Sequence, residues 1–141
     1  MKAVKVPVIM QMEALECGAA SLTMLLAYYG KWIPLEEVRE VSGVSRDGVS
    51  AGDIYRTGNL YDLTMKAYKY EAEDVADIPV PSIIHWNFNH FVVFCGLKNG
   101  GKKVVLNDPA RGRVVVDMEE FDRSFTGIVL HGVPSEEFEK E

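Results

Sequence analysis

Residues 17–29 are apolar almost all round, with only Ser21 and Thr23 interrupting Ala19, Ala20, Leu22, Met24, Leu25, Leu26, Ala27, Tyr28 and Tyr29. A helix with so little polar surface has no solvent face and belongs at the centre of a fold. Gly30 follows it as a terminating residue. Pro34 opens a second helix at its first position, with Glu36 and Glu37 in the first turn and the end before Gly43. A third helix is expected from Ser50 to about Leu63, although Gly58 inside it runs against helix propensity. After that the apolar spacing changes from helical to alternating. Strands are predicted at 64–70, 80–86, 90–97, 103–107 and 113–117. The turn Lys98-Asn99-Gly100-Gly101 joins two of them as a hairpin. A short helix over 118–125 and a last strand over 127–133 complete the chain. Helices first and antiparallel strands second is an α+β pattern.

The chain has 141 residues, enough for one domain with a sizeable core. Its boundaries are read as 1–134, followed by an acidic tail or linker at 135–141. That tail carries Glu136, Glu137, Glu139 and Glu141 against Lys140 and is expected to be solvated and poorly ordered. No stretch approaches the ~18 to 20 apolar residues of a membrane span. Pro7, Gln11 and Glu13 break up any signal-peptide core, so the chain is not expected to be exported itself. The net charge of −6, with Lys and Arg scattered, argues against a nucleic-acid partner.

Two cysteines are present, Cys17 and Cys95. In a chain that is not exported, a disulfide between them is disfavoured. Cys95 falls beside Phe91 and Val93 by strand alternation, on the face opposite His90, and reads as a small core residue. Cys17 is different. It opens the long apolar helix, where peptide dipoles and unpaired N–H groups favour thiolate over thiol. Six positions upstream, Gln11 could donate a hydrogen bond to a developing oxyanion. Downstream, His90 begins a strand and Asp108 ends the next. The two strands form a hairpin, which can bring Asp108 beside the ring of His90 to fix its tautomer. Alternation alone does not choose between His85 and His90 as the base.

The order Cys, His, Asn/Asp is that of papain-like enzymes. Three separated motifs carry a closer likeness: Gln11 with Glu16-Cys17-Gly18-Ala19-Ala20, then His85-Trp86-Asn87 with Asn89-His90-Phe91-Val92-Val93, then Asn107-Asp108-Pro109-Ala110-Arg111-Gly112. With them the chain resembles, over roughly residues 5 to 132, the double-glycine leader peptidases. These are the N-terminal cysteine peptidase domains of ATP-binding cassette transporters that export bacteriocins, lantibiotics and related peptides.

The resemblance implies a papain-like fold, with an N-terminal helical half and a C-terminal antiparallel sheet. It assigns Cys17 as nucleophile, His90 rather than His85 as base, Asp108 as its orienting partner and Gln11 as an oxyanion-hole donor. It implies no cofactor. The implied substrate is a precursor peptide with an amphipathic leader helix, cut after Gly-Gly or Gly-Ala. The implied partner is the rest of the transporter, on the cytoplasmic side of the membrane, with the isolated domain monomeric. Trp86, Asn87 and Gly18 are expected to wall the substrate cleft, the small run Gly18-Ala19-Ala20 letting another chain approach.

Other uses of these residues are weaker. A metal site from Cys17, His85, His90, Cys95 and Asp108 lacks a usual zinc spacing. Gly100-Gly101-Lys102 lacks the first Gly and following Ser/Thr of a P-loop, so ATP binding by this chain is not expected. Two alternatives to leader cleavage stay open: an inactive domain that only captures leader peptides, and an amidase or acyltransferase on the same fold.

Overall fold

The computed structural model describes residues 2–43, 45–46 and 48–141. After an extended N-terminal arm and a 3-10 turn at Ala14–Glu16 come three helices, α1 (Cys17–Tyr28), α2 (Leu35–Ser42) and α3 (Ala51–Leu60). The strands β1 (Leu63–Lys69), β2 (Ser82–Trp86), β3 (His90–Lys98), β4 (Lys103–Asp108), β5 (Gly112–Asp117) and β6 (Phe125–Pro134) follow, with α4 (Met118–Ser124) between the last two. They form one six-stranded sheet in the order β1-β6-β2-β3-β4-β5. Every neighbouring pair is antiparallel. The fold is α+β, as the pattern of helices and strands predicts.

Element ends follow local chemistry. Gly30 and Gly43 both adopt positive φ, and their N–H groups bond back to Ala27 and Arg39 carbonyls, closing α1 and α2. Pro34 stands one place earlier than expected, as the cap of α2 with extended ψ. Ser50 caps α3 in a reciprocal pair with Asp53. That helix stops at Leu60, short of the expected Leu63, because Asp62 turns left-handed at φ 69° and Leu63 already pairs with Pro134 in the sheet. The β2 strand begins at Ser82 rather than at residue 80, since Pro81 has no N–H to give a ladder. A 3-10 segment at Ala72–Asp77 has no counterpart in the sequence reading.

Two cores flank the sheet. On one side α1 packs with Ile83, Phe91, Val93, Cys95 and Val105, and on the other α4 and the 3-10 segment pack with Ile84, Val92, Phe94, Val104 and Leu106. Both faces are covered, which is why β3 and β4 are apolar nearly throughout. Cys95 shares the α1 side with Phe91 and Val93, as alternation predicts.

In α1, Ala19, Ala20, Leu22, Met24, Leu25 and Leu26 are fully buried. Its polar interruptions are paired. Thr23 Oγ1 donates to the Ala19 carbonyl at 2.8 Å, and Ser21 Oγ to that of Phe91 at 3.3 Å. Ser21 lies one turn below Cys17, so this bond ties the helix that Cys17 opens to the residue following His90.

The N-terminal arm follows β3 and β4 toward Cys17. Val4 N–H donates to Cys95 O at 2.8 Å, the Asn107 amide donates to Val6 O at 2.8 Å, and Gln11 N–H donates to Pro109 O at 2.9 Å. The acidic tail is exposed for most of its length, yet it is fastened. Ser135 N–H donates to Asp62 O, Glu141 N–H donates to Gly30 O, and the Phe138 ring lies under Lys31 Nζ at 4.4 Å.

Gly96 lets the arm cross β3. It holds φ 130°, and a Cβ there would sit 2.7 Å from Ala3 Cα. Gly96→Ala is expected to destabilise the fold by about 1 to 3 kcal/mol through overpacking against backbone. Gly100→Ala, at φ 68° with open space around it, bears only the left-handed strain of about 1 to 2 kcal/mol. Urea denaturation of both variants checks the order.

Candidate active site

Cys17 is the first residue of α1, reached directly from the 3-10 turn and 9% exposed. Facing it across the helix–sheet junction are the start of β3 and the end of β4. His90 Nε2 lies 2.7 Å from Asp108 Oδ1. With Nε2–H donating to the carboxylate, Nδ1 is the nitrogen left to serve a sulfur. Asp108 is itself 3% exposed. It also accepts the Ala110 N–H at 2.8 Å and Arg111 Nε at 2.9 Å. A carboxylate with three donors is fixed in position and charge. The sequence pattern brings Asp108 and His90 to one hairpin end; the contribution of Arg111 is visible only in the structure.

The charges reinforce one another. Burial alone would push the His90 imidazolium to lose its proton. Hydrogen bonds and charge interactions with Asp108 and Cys17 outweigh it and raise its pKa from 6.5 to about 9. Burial works against the Asp108 carboxylate too, and the bonds from His90, Ala110 and Arg111 overcome it, lowering its pKa to about 2. An imidazolium held beside a sulfur is the arrangement that stabilises a thiolate.

Two cavities open on this centre. One, of ≈ 340 Å³, is lined by Cys17 with Leu15, Val49, His85, Phe88 and Phe91, among others. The other, of ≈ 480 Å³, is lined by His90 and Asp108 with Gln11, Asn87, Arg111 and Glu120, among others. Ala14 and Asn89 border both. Gln11 thus stands on the His90 side, and its buried Oε1 has no hydrogen-bond partner among the described residues. An amide left part-satisfied at a cavity is held there by its surroundings, here by its own backbone bond to Pro109.

The expected cleft walls divide. Asn87 is exposed and lines the polar cavity. Trp86 touches that cavity but is 2% exposed, with its ring against Phe121. Gly18 is corrected. It lines neither cavity, and a Cβ on it would meet Ile54 Cδ1 at 3.1 Å and Val49 Cβ at 3.2 Å. The small run after Cys17 lets α3 and its preceding loop close on α1. It does not admit a second chain.

His85 takes no part in the Cys17–His90–Asp108 cluster. Its Nδ1 lies 2.9 Å from Thr126 Oγ1, and burial lowers its pKa, as for a satisfied neutral ring. Among the described residues no group of three or more His, Cys, Asp or Glu side chains is placed to hold a metal ion.

Sequence reasoning missed Glu16. Its carboxylate is 1% exposed and accepts the N–H groups of Met12 and Glu13 at 2.7 and 3.0 Å, with Arg39 of α2 as ion partner. Burial would raise its pKa, but the Arg39 bond and the two N–H groups hold it below the usual carboxylate range. This clamp shapes the loop between Gln11 and Cys17. The available signal was Glu13-x-x-Glu16 just ahead of an apolar helix, a capping-box spacing.

By NMR, the His90 ring is expected to titrate near 9. Because the His90 pKa is raised and that of Asp108 lowered, the pair's stabilisation is complete between the ordinary Asp value of 3.8 and the ordinary His value of 6.5, is lost as pH rises through about 9, and is lost again as pH falls through about 2. Asp108→Asn keeps a polar partner but removes its charge, so the ring's midpoint is expected to fall. Brief iodoacetamide labelling near neutral pH is expected to modify Cys17 well ahead of Cys95, by peptide mapping. Cys95 is fully buried, and burial pushes its thiol up to about 11.

Comparison with known proteins gives the chain a family. The chain is 36% identical over 137 residues to the colicin V secretion/processing ATP-binding protein of Escherichia coli, covering 97% of this chain and 19% of that one. It is 33% identical over 137 residues to the lactococcin-G-processing and transport ATP-binding protein of Lactococcus lactis subsp. lactis, covering 93% of this chain and 19% of that one. The chain therefore spans about a fifth of the length of these relatives. Among solved structures, a double glycine motif protease from an AMS/PCAT transporter, in complex with the leader peptide, superposes with a TM-score of 0.90 at 59% identity, covering 94% of each chain. The Peptidase C39 family model matches residues 5–137, from the arm that delivers Gln11 through to the fastened tail, and the chain belongs to that family.

Proposed function

We propose that this protein is a cysteine endopeptidase that removes the leader from a secreted precursor peptide after Gly-Gly or Gly-Ala. One observation carries the reading: His90, bonded to a buried Asp108, stands across the helix–sheet junction from Cys17. The solved double glycine motif protease and the two secretion/processing relatives support the substrate class.

In this reading the Cys17 thiolate attacks the carbonyl carbon of the last leader residue, the second glycine of the pair, which stands immediately before the cut. The carbonyl electron pair moves to oxygen, where the Gln11 amide and backbone N–H groups receive it. The tetrahedral species collapses as His90 gives its proton to the departing nitrogen. The C–N bond breaks, the mature peptide leaves with a new amino terminus, and a thioester remains on Cys17. His90, now neutral, takes a proton from water, whose hydroxide attacks the thioester and releases the leader carboxylate.

This chemistry gives the cleft a direction. The acyl portion stays on Cys17, so the leader occupies the cavity that Cys17 lines. The leaving nitrogen must pass His90, so the mature peptide occupies the polar cavity that His90 lines. At the bond itself the passage runs past Ala14 and Asn89, the residues the cavities share. A glycine pair threads it without displacing packed side chains.

Among the described residues no helix is long and apolar enough to cross a membrane. The relatives are several times longer. The reading includes a longer ATP-binding transporter, with this domain on its cytoplasmic face.

Cys17→Ala is expected to abolish cleavage of a leader-containing precursor, by mass spectrometry, with circular dichroism and leader binding retained. Cleavage by that variant at the wild-type rate would exclude the thiolate mechanism. Replacing either glycine before the bond with Leu is expected to lower kcat/KM by roughly 10²-fold or more, since ~1 Å of misplacement can cost that much. Efficient cutting after Leu-Leu would leave a general cysteine peptidase, and tight leader binding without cleavage of any peptide would leave a docking domain.

A further inference from the structure

Between β2 and β3 the chain turns through Asn87 at φ 52° and Phe88 at φ 63°, and Asn89 N–H reaches back to the Trp86 carbonyl at 3.3 Å. Two successive left-handed residues closed this way make a type I′ turn. Its second central position favours glycine, and a bulky L-residue there is an outlier. Here it is phenylalanine. The ring gains nothing for the fold in return: Phe88 is 80% exposed and belongs to neither core. Among the described residues its aromatic contact is an edge-on approach to His85 at 6.3 Å. Unfavourable backbone and unfavourable exposure thus coincide at one residue, two positions before His90. Strain of this kind persists where a function uses it.

The ring stands at the cavity that Cys17 lines. Leu15 and Ile128, which are 42% and 37% exposed, border the same cavity. An apolar rim therefore surrounds the side of the cleft that keeps the acyl portion of the substrate. A glycine pair at the bond supplies no side chain to cover that rim. We propose that Phe88 is a specificity-determining residue that seats an apolar leader side chain upstream of the glycine pair. The proposal rests on the leader-peptidase reading above. It explains why the turn carries phenylalanine where glycine fits better: the exposed ring is covered only when a leader is bound.

The test joins stability to kinetics. Phe88→Gly suits the turn, so its Tm is expected to equal or exceed that of the wild type. On a synthetic leader peptide with apolar residues before the glycine pair, KM is expected to rise roughly tenfold or more, with kcat near the wild-type value. The preference for apolar over serine-substituted leaders shrinks in parallel, and Phe88→Leu restores part of it. Phe88→Asn, whose side chain tolerates the left-handed conformation, is expected to behave like Phe88→Gly, which separates loss of the ring from added flexibility near His90. A lower Tm in Phe88→Gly would show that the ring packs for the fold and would overturn the proposal. So would an unchanged KM and unchanged leader preference, with the wild type still cleaving after Gly-Gly. A wild-type protein that cleaves no Gly-Gly peptide would instead overturn the parent reading, and this one with it.

Discussion

Enclosure of α1 is the constraint on which the other arrangements depend. A helix with six fully buried apolar residues and no polar face must be surrounded. The sheet covers it from β3, and α2 and α3 close the remaining sides. Once it is enclosed, its axial position matters as much as its burial. The Ser21 bond to the Phe91 carbonyl sets that position within one turn of Cys17. Cys17 consequently meets the sheet where β3 begins with His90 and β4 ends with Asp108.

Two buried carboxylates flank this junction, and each is matched by more donors than a single ion pair supplies. Asp108 has His90, the Ala110 N–H and Arg111, whereas Glu16 has Arg39 and two backbone N–H groups. Taking a carboxylate out of water is costly, and an isolated partner rarely compensates for it. The extra donors do so here, and they also make the geometry stiff. Glu16 holds the loop that runs from Gln11 to Cys17, and Asp108 holds the ring that faces the sulfur. Both clamps act on backbone at the ends of elements, where small shifts would otherwise be easiest.

The cleft combines these rigid parts with a less favourable one. Gln11 keeps a buried amide oxygen without a partner among the described residues, and the hairpin beside His90 carries Phe88 in a left-handed, exposed conformation. Several positions away from the site carry less strain. Gly30, Gly43 and Gly96 occupy turns or crossings that need a positive φ, and the polar interruptions of α1 are bonded. At the site, a broken local rule and a cavity coincide.

The chain by itself determined the order of elements, because apolar spacing and terminating residues act locally. The change from helical to alternating pattern after residue 63, the stop at Gly43 and the Lys98-Asn99-Gly100-Gly101 hairpin all reflect interactions within a few residues. Cys17, His90 and Asp108 were legible as candidates because their motifs stand at element ends. What only tertiary structure decided depends on approach from elsewhere in the chain. Arg39 lies 23 positions from Glu16, and Asn107 lies 101 positions from the Val6 carbonyl it holds. Gly18 looked like an opening for substrate until Ile54 and Val49 were found packed against it. The tail of glutamates looked free until Phe138 was seen under Lys31. Sequence pattern reports the period of a segment and the chemistry of its side chains. It does not report which distant backbone group will lie within a hydrogen bond of them, because that depends on how the enclosed helix settles against the sheet.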